Sequence, residues 1–418
     1  MRAPILTSAR ARAGDLSQVF AIRPFATYQA GNIVMTTGFW MQRIAIGWLT
    51  WEITGSEAWL GLIAFAELFP SILTALWGGA LADRHPATRV MFWGQVLIAG
   101  LSAALTVGAA TGWLDRWSLL AAMTLLGAIS GTILPARLAM ASWLVPRALL
   151  PTALAVNSTG FNLSRFVGPA LAAGLLVVAH EAVVFGLSAL GFAALAVQLY
   201  RIRHVPRQGP VHQPGPPVST AAVYRAVMAT PAVLGVILLQ FAQGALIRPT
   251  SELFPAFSEL AFGMGEAGLG ALNAALGLGA IIGALALSKA REPQAALRQI
   301  LIMSALFALS LPVFVLTGPF ALALLVLVVH GLAMSSSNIA ALAFVQIQTP
   351  PERLGRVLSL YTIVFRVGPA LGAFLFGLAA EHTSLRATGL IFGAAGLAAT
   401  AALAIMILRP KTQWRLRR

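Results

Sequence analysis

The chain has 418 residues, of which 58% are hydrophobic and only 10% charged, with a net charge of +15 and a mean hydropathy of +0.83. Soluble proteins average about 25% charged residues, so this composition excludes an ordinary soluble domain and indicates a multi-spanning helical membrane protein. A transmembrane β-barrel is excluded as well, because its strands alternate apolar and polar residues over segments of about 10 residues. The absence of cysteine excludes disulfides and thiolate metal sites.

Twelve apolar segments follow one another along the chain, each long enough to cross a hydrocarbon core of about 30 Å. A polar, proline-rich stretch from His204 to Ser219 separates the first six from the last six. We therefore predict an all-α membrane protein with an N-terminal six-helix bundle over 1–203, a cytoplasmic linker over 204–219 and a C-terminal six-helix bundle over 220–418. The predicted segments are 25–52, 57–82, 90–111, 117–145, 150–179, 182–202, 228–258, 266–289, 296–317, 319–348, 354–380 and 386–408.

Basic residues are distributed unequally between the two sets of alternating loops. Both termini, the linker and the loops on their side together contain 21 Lys and Arg residues, whereas the opposite loops contain only Arg116 and Arg386. Because cytoplasmic loops are enriched in Lys and Arg, both termini and the linker are expected to lie in the cytoplasm of a bacterial-type cell, with the protein in the inner membrane. The basic net charge is therefore explained by the membrane topology and by contact with anionic lipid headgroups. No nucleic-acid partner is expected.

The two halves of the chain repeat each other. Val167 to Leu171 reads VGPAL and recurs 200 residues later at Val367 to Leu371, while GALA at Gly79 to Ala82 recurs at Gly283 to Ala286. Parallel repeats of this kind occur among transporters. We assign the repeated Gly168-Pro169 and Gly368-Pro369 to helix packing and hinging, since glycine permits close approach and proline removes a backbone donor. Plain tight packing without a hinge explains the same residues equally well.

The loop after the second segment contains Asp83 followed by Arg84 and Arg89. A carboxylate at the end of a helix is disfavoured by the helix dipole, so Asp83 is expected to have a partner, either one of these arginines or the N-terminus of a neighbouring helix. An ordinary basic cytoplasmic loop remains the alternative interpretation.

At this loop the chain resembles the major facilitator superfamily, whose signature Gly-x-Leu-Ala-Asp-Arg matches Gly79 to Arg84. It is most similar to the branch that contains the enterobactin exporter and drug and macrolide efflux proteins. Three further stretches carry that resemblance: Trp48 to Ser56, Leu134 to Arg137 and Arg248 to Pro255. The second-half copy has Leu287 where the first half has Asp83, so a latch built on this motif is one-sided.

The resemblance implies a fold of two six-helix bundles that move substrate by alternating access. It also implies that Asp83, Arg84 and Arg89 form a conformational latch on the cytoplasmic side. It implies a transporter rather than an enzyme, without cofactor or metal, acting as a monomer on a small molecule and on protons within the lipid bilayer.

Charged residues inside membrane segments usually face an interior cavity, because exposing them to lipid is costly. Five arginines lie within the segments against two glutamates, Glu67 and Glu252, which predicts a net positive interior. Glu67 is the first candidate for proton coupling and Glu252 the second, although Glu252 also stands four residues after Arg248 and can form an ion pair with it on one helical face. The candidate cavity residues are Asn32, Arg43, Arg165, Gln243, Arg248, Asn338 and Arg366.

These features predict a proton-coupled exporter of a small amphiphilic compound, with an anionic, siderophore-like cargo favoured by the positive interior. A broad multidrug or macrolide exporter is the closest alternative, and a lysolipid flippase or a non-transporting membrane protein stays open. Tryptophans 40, 48, 51 and 59 gather near one membrane boundary and are typical of an interfacial belt. The alternative for one or two of them is a place along a substrate path.

Overall fold

The computed structural model describes residues 16–206, 231–286 and 293–408. These residues form twelve long helices, and no β-strand occurs among them. Leu287, most of the linker and the ends of the chain lie outside the described residues. The helices are α1 Arg23–Thr54, α2 Glu57–Arg84, α3 Ala87–Thr111, α4 Arg116–Leu144, α5 Leu150–Val178, α6 Glu181–Arg201, α7 Pro231–Leu246, α8 Gly265–Ala286, α9 Pro293–Leu316, α10 Phe320–Gln348, α11 Pro351–His382 and α12 Leu385–Leu408.

Within the described residues, eleven helical segments are long and apolar enough to cross a membrane. The remaining helix, α1, has the length for a span, with 32 residues, but carries an unusual number of polar side chains. Gln29, Asn32, Thr36 and Gln42 are each only 1% exposed. The polar side chains of α1 are therefore buried inside the protein rather than exposed to lipid. The described residues contain the twelve spans that the sequence predicts.

The chain divides into two compact units. The first comprises residues 1–46 and 70–213, and the second comprises 47–69 and 214–418. The end of α1 and the first part of α2 thus pack with the second unit, and the boundary inside α2 falls at Pro70, which lies within that helix. Proline removes one backbone donor from the helix and permits a bend at this point. The division into two sequence halves remains a prediction about the repeat.

The seventh span is interrupted. Helix α7 ends at Leu246, and the chain continues through a 3₁₀ helix from Arg248 to Leu253, a short α-helical turn and a π-helical turn from Phe257 to Ala261. Pro249 and Pro255 lie in this stretch and cannot donate backbone hydrogen bonds. The expectation of a continuous seventh helix is wrong here, because Arg248 and Glu252 lie in the 3₁₀ segment. Their pairing stays a prediction. Interrupted spans are where transporters commonly place binding sites.

The two Gly-Pro pairs make equivalent contacts in the two units. A Cβ atom at Gly168 of α5 would lie 2.6 Å from Trp40 Cβ and 2.8 Å from the Thr37 carbonyl of α1. A Cβ atom at Gly368 of α11 would lie 2.9 Å from the Phe241 carbonyl of α7. Each glycine therefore lets the fifth helix of its repeat pack closely on the first helix. This contact supports the packing role for these glycines, while the hinge stays a prediction.

Candidate functional site

Three arginines of the first unit gather around two aromatic rings, and we call this group the first arginine cluster: Arg43, Arg137 and Arg165 with Trp40 and Phe161. The guanidinium carbons of Arg165 and Arg43 lie 5.5 and 5.9 Å from the centre of the Trp40 ring. The guanidinium carbon of Arg137 lies 5.9 Å from the centre of the Phe161 ring. The two rings contact each other edge to face at 6.1 Å, so the cluster is one continuous surface built from α1, α4 and α5.

Neutral polar side chains hold Arg137 in place. Its Nη2 atom donates to Thr36 Oγ1 at 3.0 Å and lies 3.5 Å from Asn32 Oδ1. Asn32 in turn donates from Nδ2 to Asn157 Oδ1 at 3.0 Å. Helices α4 and α5 contain no acidic residue, and α1 contains only Glu52 near its end. The sequences of the three helices thus supply an excess of positive charge, which suits an anionic ligand.

Several buried polar atoms of α1 have no hydrogen-bond partner among the described residues. They include Tyr28 Oη, both side-chain polar atoms of Gln29, and Trp40 Nε1. Leaving a buried donor or acceptor unsatisfied costs about 1–3 kcal/mol, and native proteins keep few such atoms. The Gln29 amide, the Tyr28 hydroxyl and the Trp40 indole N–H therefore have unused hydrogen-bonding capacity within the described residues.

The second unit contains a smaller group of the same chemistry, which we call the second arginine cluster: Arg248, Tyr361 and Phe365. The guanidinium carbon of Arg248 lies 4.5 Å from the centre of the Phe365 ring, and Phe365 stacks on Tyr361 at 6.0 Å. Arg248 stands at the start of the interrupted part of the seventh span, where the backbone is least regular.

Other predicted cavity residues of the second unit lie on nearby elements. Gln243 is 3% exposed on α7, and its Nε2 atom has no hydrogen-bond partner among the described residues. Arg366 follows Phe365 on α11 and is half-buried. Asn338 is half-buried on α10 and follows Ser337, which accepts a 3.1 Å hydrogen bond from Gln240.

The candidate proton-coupling and latch residues belong to helices other than those that carry the first arginine cluster. Glu67 is 6% exposed within the apolar helix α2, and Glu252 is half-buried in the interrupted part of the seventh span. Asp83, Arg84 and Arg89 are all exposed, and the described structure records no ion pair among them. Their proposed role in a latch remains a prediction.

Sequence reasoning did not single out Phe161, Tyr361 or Phe365, and it left Arg137 out of the candidate cavity. For Trp40 it gave a place along a substrate path only as the alternative to an interfacial belt. The signal for Arg137 was present, since it is a charged residue deep in an apolar segment. Phe161, Tyr361 and Phe365 gave no such signal, because aromatic residues are common throughout membrane helices.

Comparison with known proteins identifies the family. The model of a family described as transmembrane secretion effectors matches residues 17–415. The chain belongs to this family of the major facilitator superfamily. It is therefore a multi-pass membrane transporter, and its relatives are transporters rather than enzymes.

Enterobactin exporters of enteric bacteria are among the proteins similar in sequence to this chain. The exporter from Citrobacter koseri is 28% identical over 353 residues, covering 82% of this chain and 78% of the relative. The exporter from Escherichia coli O1:K1 is 31% identical over 339 residues, covering 78% of this chain and 76% of the relative.

Solved structures of other transporters share the fold. A POT family transporter in complex with 5-aminolevulinic acid has a TM-score of 0.72 at 14% identity, covering 94% of this chain and 97% of its own. The nucleoside transporter NupG, as its D323A mutant, has a TM-score of 0.71 at 14% identity, covering 92% of this chain and 99% of its own. At this identity the likeness shows the fold alone.

Proposed function

We propose that the protein is a proton-coupled exporter that binds a small anionic amphiphile at the first arginine cluster. The observation that carries this proposal is the gathering of three guanidinium groups around Trp40 and Phe161. A guanidinium offers up to five donors in a planar array that matches carboxylate and catecholate oxygens. The rings beside them offer apolar surface for the rest of the cargo.

The unsatisfied atoms of α1 support the same proposal. Trp40 Nε1 is a donor, Tyr28 Oη both donates and accepts, and the Gln29 amide does both. A cargo with several hydroxyl or carboxylate oxygens satisfies such a set, whereas a purely apolar cation does not. The similarity to enterobactin exporters of enteric bacteria favours a catechol-type siderophore as the cargo class and export as the direction.

The orientation proposed here follows the basic residues of the loops. Both termini and the linker lie in the cytoplasm, and the opposite loops, which contain Arg116 and Arg386, lie outside. Glu67, buried in an apolar helix, is the group that we propose to take up and release the coupling proton, with Glu252 as the second candidate. Asp83, Arg84 and Arg89 act as the cytoplasmic latch, and the protein works as a monomer.

Flux measured in proteoliposomes tests the cargo class and the coupling together. Purified protein is reconstituted, a pH gradient is imposed, and the uptake of three cargo classes is followed: a catecholate siderophore, a cationic or macrolide drug, and a lysolipid. We expect uphill movement of the siderophore only, and its loss when a protonophore collapses the gradient. Movement of the drugs or the lysolipid instead supports a multidrug exporter or a flippase and contradicts the anionic site.

A substitution within the site distinguishes a loss of cargo binding from a general loss of folding. Arg137→Gln removes the cation that contacts Thr36 and Asn32 but keeps a polar side chain at this position. We expect a loss of siderophore flux at unchanged protein yield. A surface arginine, Arg116→Gln, is the matched control and retains flux.

A further inference from the structure

Helices α3 and α6 of the first unit lie side by side and run in opposite directions. The ring centres of Phe92 on α3 and Tyr200 on α6 lie 5.9 Å apart. Fourteen residues away along each helix, a Cβ atom at Gly186 would lie 3.5 Å from Thr106 Cγ2. The beginning of α3 therefore lies beside the end of α6, and residues just beyond the contact between Phe92 and Tyr200 share one end of the helix pair.

Arg203 is held over the ring of Tyr200 at this end. Its guanidinium carbon lies 3.5 Å from the ring centre, and its Nη1 atom donates to the Tyr200 carbonyl at 2.7 Å. Both side chains are exposed. A guanidinium has five N–H donors, so stacking and one hydrogen bond fix the group in place while most of its donors remain for an acceptor at the surface.

Helix α3 adds an indole ring and a second cation. Trp93 contacts Phe92 edge to face at 5.2 Å and is 59% exposed. Arg89 is exposed and precedes Trp93 by four residues, which places both on one helical face. Arg89 stands three residues before Phe92, and Arg203 stands three residues after Tyr200. Because the helices are antiparallel, both arginines lie beyond the ring contact at the same end, and we call these five residues the aromatic–basic patch.

The patch continues into an apolar surface along both helices. Leu97, one turn after Trp93, is 57% exposed, and Val197, one turn before Tyr200, is 49% exposed. Exposed apolar side chains within a membrane span are suited to contact with acyl chains. Tryptophan and tyrosine are enriched at the boundary between acyl chains and headgroups. The two arginines therefore stand at the level of the headgroups, directly above an acyl-binding surface.

The charge of this region selects for an anion. Helix α3 contains no acidic residue, and Glu181, the one acidic residue of α6, begins that helix at its opposite end, about 30 Å away. Asp83 precedes Arg89 by six residues, lies on α2 and is exposed. Two arginines against this one carboxylate leave an excess of positive charge. Guanidinium groups bind phosphate oxygens through parallel hydrogen bonds.

We propose that the aromatic–basic patch binds the headgroup of an anionic phospholipid. The phosphate lies at Arg203 and Arg89, the indole of Trp93 packs at the glycerol level, and the acyl chains run along Leu97 and Val197. In the orientation proposed above, the patch faces the cytoplasmic leaflet, which is rich in anionic lipids. This site is separate from both arginine clusters and goes beyond the export of cargo.

The absence of cysteine from the natural chain allows one residue beside the patch to be labelled specifically. A fluorophore is attached to a cysteine introduced at Val197, and the protein is reconstituted without cargo in nanodiscs of phosphatidylcholine. Small amounts of phosphatidylglycerol or phosphatidylcholine that carry a nitroxide on the same acyl chain are then added, and quenching measures how much of each lipid lies beside residue 197. Val183, which is 44% exposed near the opposite end of α6, is the matched reference position.

We expect stronger quenching by phosphatidylglycerol than by phosphatidylcholine at residue 197 and equal quenching by the two lipids at residue 183. An arginine near the membrane surface changes the binding of anionic lipid by about fivefold. Arg203→Gln is therefore expected to lower the preference for phosphatidylglycerol at residue 197 by about that factor. Quenching by phosphatidylcholine is expected to stay the same, which shows that the variant is folded.

Arg353→Gln is the matched control. Arg353 is exposed in the first turn of α11, on the second unit, so the variant loses the same charge elsewhere and is expected to keep the preference. Equal quenching by the two lipids at residue 197 overturns the proposal, as does an unchanged preference in Arg203→Gln. Loss of the preference on adding inorganic phosphate also overturns it, because the site would then bind free phosphate rather than a lipid. Since no cargo is present, these outcomes do not depend on whether the protein exports a siderophore.

Discussion

The guanidinium carbon of Arg165 lies 5.5 Å from the centre of the Trp40 ring, on a helix that Gly168 brings close to α1. Arg43 lies at 5.9 Å from the same ring. One tryptophan therefore positions two cations, and the small residue one turn from Arg165 makes this arrangement possible. Packing between the helices and the chemistry of the site depend on the same few residues.

The tryptophan is expected to matter for binding affinity. Cation–π contacts contribute roughly 0.5–2 kcal/mol each, so Trp40→Leu is expected to raise the KM for anionic cargo by at least about 2-fold. The measurement is concentration-dependent uptake into proteoliposomes. Trp113→Leu, at a side chain that is 56% exposed, is the control with an unchanged KM. An unaltered KM in Trp40→Leu would show that this ring does not position the site.

Neutralising Arg248 is expected to affect anionic cargo selectively. Arg248→Gln removes the cation that lies 4.5 Å from Phe365, so flux of an anionic substrate falls while flux of a neutral analogue persists. Arg248→Lys keeps the charge but loses the planar guanidinium that stacks on the ring, and an intermediate flux is expected. If anionic and neutral cargo suffer equally, the second arginine cluster does not select for charge.

Two glycines of α5 offer a matched test of packing. Gly168→Ala places a methyl group 2.6 Å from Trp40 Cβ, and overpacking of this kind costs about 1–3 kcal/mol. Gly174→Ala meets nothing within 4 Å and is expected to be neutral. Thermal unfolding in detergent should therefore give a lower Tm for the first variant alone. Equal Tm values would mean that α5 moves aside without cost.

Glu67 is expected to be required for coupling rather than for cargo binding. Glutamine has a similar shape but cannot release a proton, so Glu67→Gln should abolish uphill flux driven by a pH gradient and leave downhill exchange of cargo intact. Glu181→Gln, at a glutamate of α6 that is also buried, is the control. A pH-sensitive dye inside the vesicles reports proton movement. If protons still move together with cargo in Glu67→Gln, Glu67 is not the coupling group, and Glu252 becomes the candidate.

The exposed latch residues give a prediction about turnover. Asp83→Asn preserves the size of the side chain and removes the charge that is expected to pair across the cytoplasmic side in another conformation. We expect slower transport at a normal protein level, measured by flux and by immunoblot of the membranes. Transport at the natural rate would remove the latch assignment.

Hydropathy and segment length together were sufficient to predict where the spans lie, because helices in a bilayer must be long and largely apolar. The repeat was also visible, since Gly168-Pro169 and Gly368-Pro369 occupy equivalent packing positions. The interruption of the seventh span was missed although Pro249 and Pro255 mark it. The prediction gave more weight to the apolar composition of this segment than to its two prolines.

The site was only partly predictable for a different reason. Asn32, Arg43 and Arg165 were found because polar and charged residues are costly in lipid, and the structure brings Arg43 and Arg165 together at Trp40. Trp40 itself was grouped with interfacial tryptophans, yet its indole N–H is buried. The hydrogen bond from Ser56 Oγ to Glu381 Oε2 joins residues 325 positions apart, and nothing in a single sequence indicates such a contact.

Siderophore flux in proteoliposomes under an imposed pH gradient tests proton-coupled export by this protein. We expect uphill movement of a catecholate siderophore that stops when a protonophore collapses the gradient and that is lost in Arg137→Gln but retained in Arg116→Gln. Absence of gradient-dependent flux for siderophore, drug and lysolipid alike would contradict proton-coupled export.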